Sequence, residues 1–229
     1  MTSALSDRLN IARRGTFPQV ELSAQALISC NGGGNCDGGN PGAAYEYIYH
    51  NGITDTTCAP YAAKNLQCNA LAVCETCHST ENSYTPGVCE PVKRYNKYGL
   101  SEYGSISGAS NMKKEIYARG PISCGISVTK EFEEYSEGVF SQHVWFPSIN
   151  HEISIIGWGY DTELGKEYWI GRNSWGTYWG ENGFFRIQMY KNNLGIEKSC
   201  SWGVPVILSS SHDDPISELT IVQPNYYMK

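Results

Sequence analysis

The 229-residue chain has no long apolar run; its longest stretches are fragments such as Val204 to Leu208, far short of a membrane span. It also has no basic excess. Seventeen Lys and Arg face 23 Asp and Glu, giving a formal net charge of -6 and a pI near 5.4. That balance excludes a general phosphate-binding surface, so neither nucleic acid nor membrane is expected as a partner. Met1 to Arg8 has neither a basic n-region nor an apolar h-region, so no signal peptide is read there. No N-x-[Ser/Thr] glycosylation acceptor occurs. Hydrophobic residues at 41% and charged residues at 17% fit a globular chain with a proper core.

Cysteine and glycine are plentiful. Nine cysteines point to an oxidising compartment, yet are too sparse for a scaffold made only of disulfides. Nine is odd, so at least one thiol lacks a partner within the chain. Six of them fall between Cys36 and Cys89, and Cys58 to Cys89 reads as a loop-rich region with little periodicity. Leu5, Leu9 and Ala12 mark one face of a helix over Ser3 to Arg14. A second short helix is read in Leu22 to Cys30, capped by Ser23, with Ala24, Leu27 and Ile28 facing inward. Asn40-Pro41 starts a third helix and Asn51-Gly52 stops it.

From about Ser107 a helix carries Met112 and Ile116 to Gly120-Pro121. Ile122, Cys124, Ile126 and Val128 then alternate with small residues, the period of a half-buried strand. Strand-like segments follow at Gly138 to Ser141, His151 to Tyr160, Glu167 to Asn173 and Gly183 to Tyr190. The switch from helical to β character implies a helical, disulfide-rich lobe at 1-106, a β-rich lobe at 107-208, and a polar surface tail at 209-229.

The stretch INHEISIIGWGYDTELGKEYWIGRNSWGTYWGENG, residues 149-183, carries the chemistry. It reads as two strands that bring His151 to Asn173, followed by a turn rich in Gly and Trp. An imidazole beside a cysteine depresses the thiol pKa, and such a ring needs an acceptor on its second nitrogen to hold its orientation. Asn173 supplies an uncharged acceptor and Trp175 a cover against water; the glycines at 176, 180 and 183 let the turn fold back.

Together with TSALSDRLN, LSAQALISC, NCDGGN, ISGASNMKKEIYARGPISCGI and WGENGFFRI, this stretch resembles the papain family of cysteine peptidases from Thr2 to about Val206. The resemblance implies an α+β fold of two lobes, helical on the left and β-barrel-like on the right, with peptide hydrolysis in the cleft between them. It also implies a monomer acting on a peptide or protein substrate in the lysosome or outside the cell, and a preference for removing C-terminal residues. Under it, His151 is the catalytic acid and base, Asn173 its partner, Trp175 the shield, and Gly38 and Gly39 the backbone that pairs with substrate.

The resemblance further implies disulfides Cys30-Cys68, Cys58-Cys74, Cys77-Cys89 and Cys124-Cys200, leaving Cys36 unpaired; spacing alone allows 105 pairings of eight cysteines. The family's nucleophile lies in a CGSCW-type motif at the start of the helix that TSALSDRLN continues, so that motif is expected just ahead of Met1. The 229 residues are expected to be inactive alone. A non-catalytic relative that binds peptides is the alternative. Two rival readings concern metals: CETCH, Cys74 to His78, fits a c-type haem attachment with Met112 or Met189 as axial ligand, and Cys68, Cys74, Cys77 and His78 have zinc-ligand chemistry. The disulfide-rich surroundings argue against both, so no metal and no cofactor are expected.

Overall fold

The computed structural model describes residues 1-79 and 87-208; the tail read at 209-229 lies outside the described residues. The helices are α1 (Thr2–Ala12), α2 (Ala24–Ser29), α3 (Pro41–Asn51), α4 (Ala70–Val73), α5 (Ala109–Arg119) and α6 (Lys130–Glu133). The strands run from β1 (Gly34–Asn35), β2 (Gly38–Gly39), β3 (Glu75–His78) and β4 (Val88–Pro91) to β5 (Lys97–Ile106) and β6 (Ile122–Ile126). After them come β7 (Val139–Phe140), β8 (His151–Asp161), β9 (Lys166–Arg172), β10 (Phe184–Gln188) and β11 (Cys200–Leu208).

Two compact units divide the chain. The helical unit takes Thr2, Leu9 to Tyr103 and the chain from Gly203; the sheet unit takes Met1, Ser3 to Arg8 and Gly104 to Trp202. The division thus falls three residues before 106/107, and the start of α1 belongs with the sheet.

In the helical unit, α3 begins and ends on the residues that mark it in the sequence. The Asn40 side chain accepts the Ala43 N–H, Pro41 opens the helix, and Gly52 closes it with φ 67°, a left-handed conformation that favours glycine. Ser23 caps α2 by accepting from the Ala26 N–H at 3.0 Å. Its buried face is Gln25, Ala26, Leu27 and Ser29; Ala24 and Ile28 are only half-buried. Gln25 overrides polarity because its amide is fully used, donating to Lys64 O and Ser29 Oγ and accepting from Ala62 N. The region from Cys58 to Cys89 contains α4 and the β3/β4 hairpin, which the sequence hides because nearly all the hairpin's residues are exposed and leave no apolar alternation. Three disulfides hold this unit, Cys30–Cys68, Cys58–Cys74 and Cys77–Cys89.

Seven strands join in the order β5-β11-β6-β8-β9-β10-β7. Among the described residues the order is linear and open, with no closed barrel; it ends on the two-residue β7, parallel to β10. Cys124 and Cys200 sit opposite each other on β6 and β11 and form the fourth disulfide. Strand alternation sorts side chains onto two faces. One carries Ile122, Ile126, Ile153, Ile155, Phe185 and Ile187, all essentially inaccessible, around the buried ring of Phe132. The other carries Ser123, Glu152, Ser154 and Arg172.

That second face is covered as well. All five residues of β6 are buried, so the strand is not half-buried as the alternation implies. The start of α1 lies against it. Arg172 pairs with Asp7, while Arg8 donates to the carbonyls of Gly120 and Pro121 and forms a buried ion pair with Glu115 at 2.9 Å.

Candidate active site

His151 opens β8 opposite Ile126, on the core face of the sheet. Asn173 follows β9 directly, and continuing the register from Ser154↔Arg172 places it opposite Ile153, on the same face as His151. The imidazole Nε2 lies 2.8 Å from Asn173 Oδ1. Asn173 is held by its backbone, whose N–H donates to Gly183 O at 2.9 Å. Gly183 sits at φ +88°, and Gly176, Gly180 and Gly183 all take positive φ in this turn. The turn can therefore return close to the end of β9 at little steric cost.

The orientation of the Asn173 amide follows from a neighbour. Ser174 N–H points at Oδ1 from 2.8 Å, and a backbone donor must meet an oxygen. Nε2 consequently donates to Oδ1, and in the neutral ring Nδ1 carries the free lone pair. The ring is thus fixed as a base acting through Nδ1. Asn173 Nδ2 is buried and has no partner among the described residues.

Trp175 lies over this pair, its ring 4.9 Å from the His151 ring and tilted by 30°. It rests in turn on Trp179 at 5.1 Å and on Phe132 at 6.2 Å. Trp179 is anchored by its Nε1–H to Glu133 O at 2.9 Å. The cover is therefore a rigid aromatic stack that excludes water from one side of the His151-Asn173 bond. Sequence reasoning missed Ser174, whose contribution is a backbone N–H, and Phe132, whose helix α6 is too short to show a period. It also passed over Glu152. Burial pushes that carboxyl up to about 7, against a hydrogen bond with Ser123.

Residues 1-204 match the family model described as papain family cysteine protease. The chain belongs to the papain family of cysteine proteases. It is 46% identical over 212 residues to cathepsin Z of Onchocerca volvulus, covering 90% of this chain and 67% of that protein. It is 34% identical over 206 residues to a gut-specific cysteine proteinase of Caenorhabditis elegans, covering 85% and 61%. The structure of procathepsin B S9 from Trypanosoma congolense superposes with a TM-score of 0.69 at 29% identity, covering 92% of this chain and 67% of that one. The chain thus spans about two thirds or less of the length of these papain-family relatives.

The remaining residues singled out by sequence lie elsewhere. Gly38 and Gly39 form β2 of an exposed hairpin in the helical unit, where Gly39 pairs with Gly34 and Gly38 with Asn35. Cys36, in the turn between Asn35 and Gly38, is the one free cysteine among the described residues and is exposed. The haem and zinc readings of CETCH find no thiols, since Cys74 is bonded to Cys58, Cys77 to Cys89 and Cys68 to Cys30. Glu75, Cys77 and Cys89 come within ligand spacing of one another, but both sulfurs are consumed by their disulfide. No helix among the described residues is long and apolar enough to cross a membrane.

Proposed function

We propose that this protein is a cysteine-type peptidase that trims residues from the C-termini of peptides, with His151 as proton carrier and Asn173 as its orienting partner. The observation that carries the reading is the 2.8 Å Nε2···Oδ1 bond with its amide orientation set by Ser174, which leaves the Nδ1 lone pair for a thiol. In the reaction a cysteine thiolate adds to the peptide carbonyl carbon. Nδ1–H of the imidazolium gives its proton to the leaving nitrogen as the C–N bond breaks. Water, losing a proton to Nδ1, then adds to the thioester and releases the acid and the thiol. Four disulfides support action in a lysosomal or extracellular compartment on a peptide or protein substrate.

Eight of the nine cysteines are bridged and the ninth, Cys36, is exposed in the helical unit. We therefore place the nucleophile in a CGSCW-type segment ahead of residue 1, and residues 1-229 alone do not hydrolyse peptides under this proposal. The same accounting favours a second reading of those residues, a non-catalytic peptide-binding protein.

The test compares residues 1-229 with a chain carrying such a segment, on N-blocked peptides with free C-termini, product release being followed by mass spectrometry. Release is expected from the longer chain only, lost with His151→Ala and reduced about 10-fold with Asn173→Ala, the worth of one hydrogen bond of about 1 to 1.5 kcal/mol. Release by residues 1-229 that disappears with Cys36→Ser overturns the placement of the nucleophile. Peptide binding without release by the longer chain favours the second reading.

A further inference from the structure

The β3/β4 hairpin is a two-stranded sheet of its own, and it carries the Cys77–Cys89 bridge on strands whose residues are nearly all exposed. Of the four disulfides, this is the one with both cysteines exposed: Cys58, Cys74, Cys124 and Cys200 are buried, and Cys30 is half-buried. Attack by an external thiolate needs access to a sulfur, so Cys77–Cys89 is the bridge that opens first. Its sequence separation of 12 is the shortest of the four, so it also constrains the unfolded chain least.

Opening that bridge does not release the hairpin, because the base is tied elsewhere. Glu75 N–H donates to Cys58 O at 3.0 Å and Val92 N–H to Cys74 O at 2.9 Å, both at the buried Cys58–Cys74 bridge. The ladder runs Glu75↔Pro91, Thr76↔Glu90, Cys77↔Cys89 and His78↔Val88, which keeps the two cysteines directly opposite each other. Alternation along β3 puts Glu75 on the same face as Cys77, and His78 on the other. A carboxylate oxygen of Glu75 and the two sulfurs lie within 4.8 Å of one another. A tetrahedral zinc ion, with Zn–S of about 2.3 Å and Zn–O of about 2.1 Å, holds such atoms about 3.6 to 3.8 Å apart. Side-chain rotation alone brings the freed sulfurs to that spacing.

We propose that the hairpin becomes a zinc site when this bridge is reduced, with the thiolates of Cys77 and Cys89 and the carboxylate of Glu75 as ligands and a water in the fourth position. In the first step two small thiols supply two electrons and two protons. The S–S bond breaks, the cysteines become thiols, and the small thiols leave as their own disulfide. In the second step zinc displaces both thiol protons, so three negative ligand charges face the metal's two positive ones. Thiolate ligands select zinc over calcium or magnesium. Surroundings that keep a cysteine nucleophile reduced also contain the thiols that open an exposed disulfide, but the site itself does not depend on the peptidase reading. The hairpin is thus clasped by sulfur when oxidised and by metal when reduced.

The test reduces residues 1-229 with a phosphine in oxygen-free buffer, alkylates a portion for mass spectrometry, and titrates the rest with zinc against a colorimetric indicator. Mild reduction is expected to label Cys77 and Cys89 together with the free Cys36, and to create a zinc site absent before reduction. Cys77→Ser/Cys89→Ser abolishes it, Glu75→Gln weakens it by about 10-fold or more, and His78→Ala and Cys36→Ser leave it unchanged. No zinc bound by the reduced protein, zinc bound equally before reduction, an affinity indifferent to Glu75→Gln, or opening of another bridge ahead of Cys77–Cys89 each overturns the proposal. Binding is read without any substrate, so its failure leaves the peptidase reading intact, and a failure to hydrolyse peptides leaves the zinc site standing.

Discussion

Glu152 gives the sharpest physical test of the sheet unit. Its carboxyl sits on the face of β8 opposite to His151, covered by the start of α1, with Ser123 as its hydrogen-bond partner and the Asp7–Arg172 pair on the same face. Burial holds it at about 7 in the folded protein against an ordinary 4.5, so the folded state binds the proton more tightly than the unfolded one. Stability from this group is therefore complete below pH 4.5, declines as pH rises through 7, and is flat beyond. Moving a carboxyl from 4.5 to about 7 costs the folded state about 3 kcal/mol once it is fully ionised.

Glu152→Gln keeps the shape and removes the charge. The variant is expected to match wild type at pH 4 and to exceed it by up to about 3 kcal/mol at pH 8, a shift of roughly 1 M in the urea midpoint. Urea unfolding followed by tryptophan fluorescence at pH 4, 5.5, 7 and 8 reads the difference directly, and taking the difference cancels groups common to both proteins. Glu163→Gln, in an exposed turn, is the control and is expected to show no pH-dependent difference. A Glu152→Gln protein that is less stable than wild type at pH 8, or whose difference does not grow between pH 4 and 8, refutes the burial argument.

Two further outcomes follow from the sheet. Replacing Cys124 and Cys200 together with Ala opens a link with a sequence separation of 76 and is expected to lower stability by about 4 to 5 kcal/mol in the chain-entropy model, read by thermal melting. Gly171→Ala places a Cβ 2.1 Å from the Phe185 ring, and is expected to cost about 1 to 3 kcal/mol of stability; a melting temperature equal to wild type would show that the aromatic cluster yields freely.

Much of the helical framework and the candidate site was legible because its signals are local. Asn40, Pro41 and Gly52 specify α3 by caps, and His151, Asn173 and Trp175 stand out by residue type and spacing. What escaped depends on distant partners. β5 and β11 were not read as strands, since Lys97 to Tyr103 and Val204 to Leu208 lack sustained alternation and gain their order from neighbours far along the chain. Nothing in the sequence marks Arg8 as buried, yet it is 2% exposed, because the carbonyls of Gly120 and Pro121 and the carboxylate of Glu115 wait more than a hundred residues away. The sheet stays open among the described residues for a similar reason: closure depends on edge pairing, and β7 offers only two residues.

The run HEISIIGWGY hides one more feature that matters for the site. From His151 to Ile155, odd-numbered residues face the core, and Ile155 stands opposite Gly171. Beyond it the register shifts, Gly157 pairs with Ile170 and Trp158 with Trp169, so even-numbered Trp158 shares a face with the fully buried Trp169, its ring 6.4 Å away. Ile156 is the extra residue of a β-bulge. A regular strand could not satisfy both ends, because with Trp158 directed at Trp169 the strict period of two would turn His151 to the α1 side and Glu152 towards the core. The bulge absorbs one residue of phase and lets a single strand deliver an apolar ring at one end and an imidazole to Asn173 at the other. Deleting Ile156 would force that conflict, and the geometry of His151, rather than the outer hairpin, is the part with the weaker hydrophobic claim on its position.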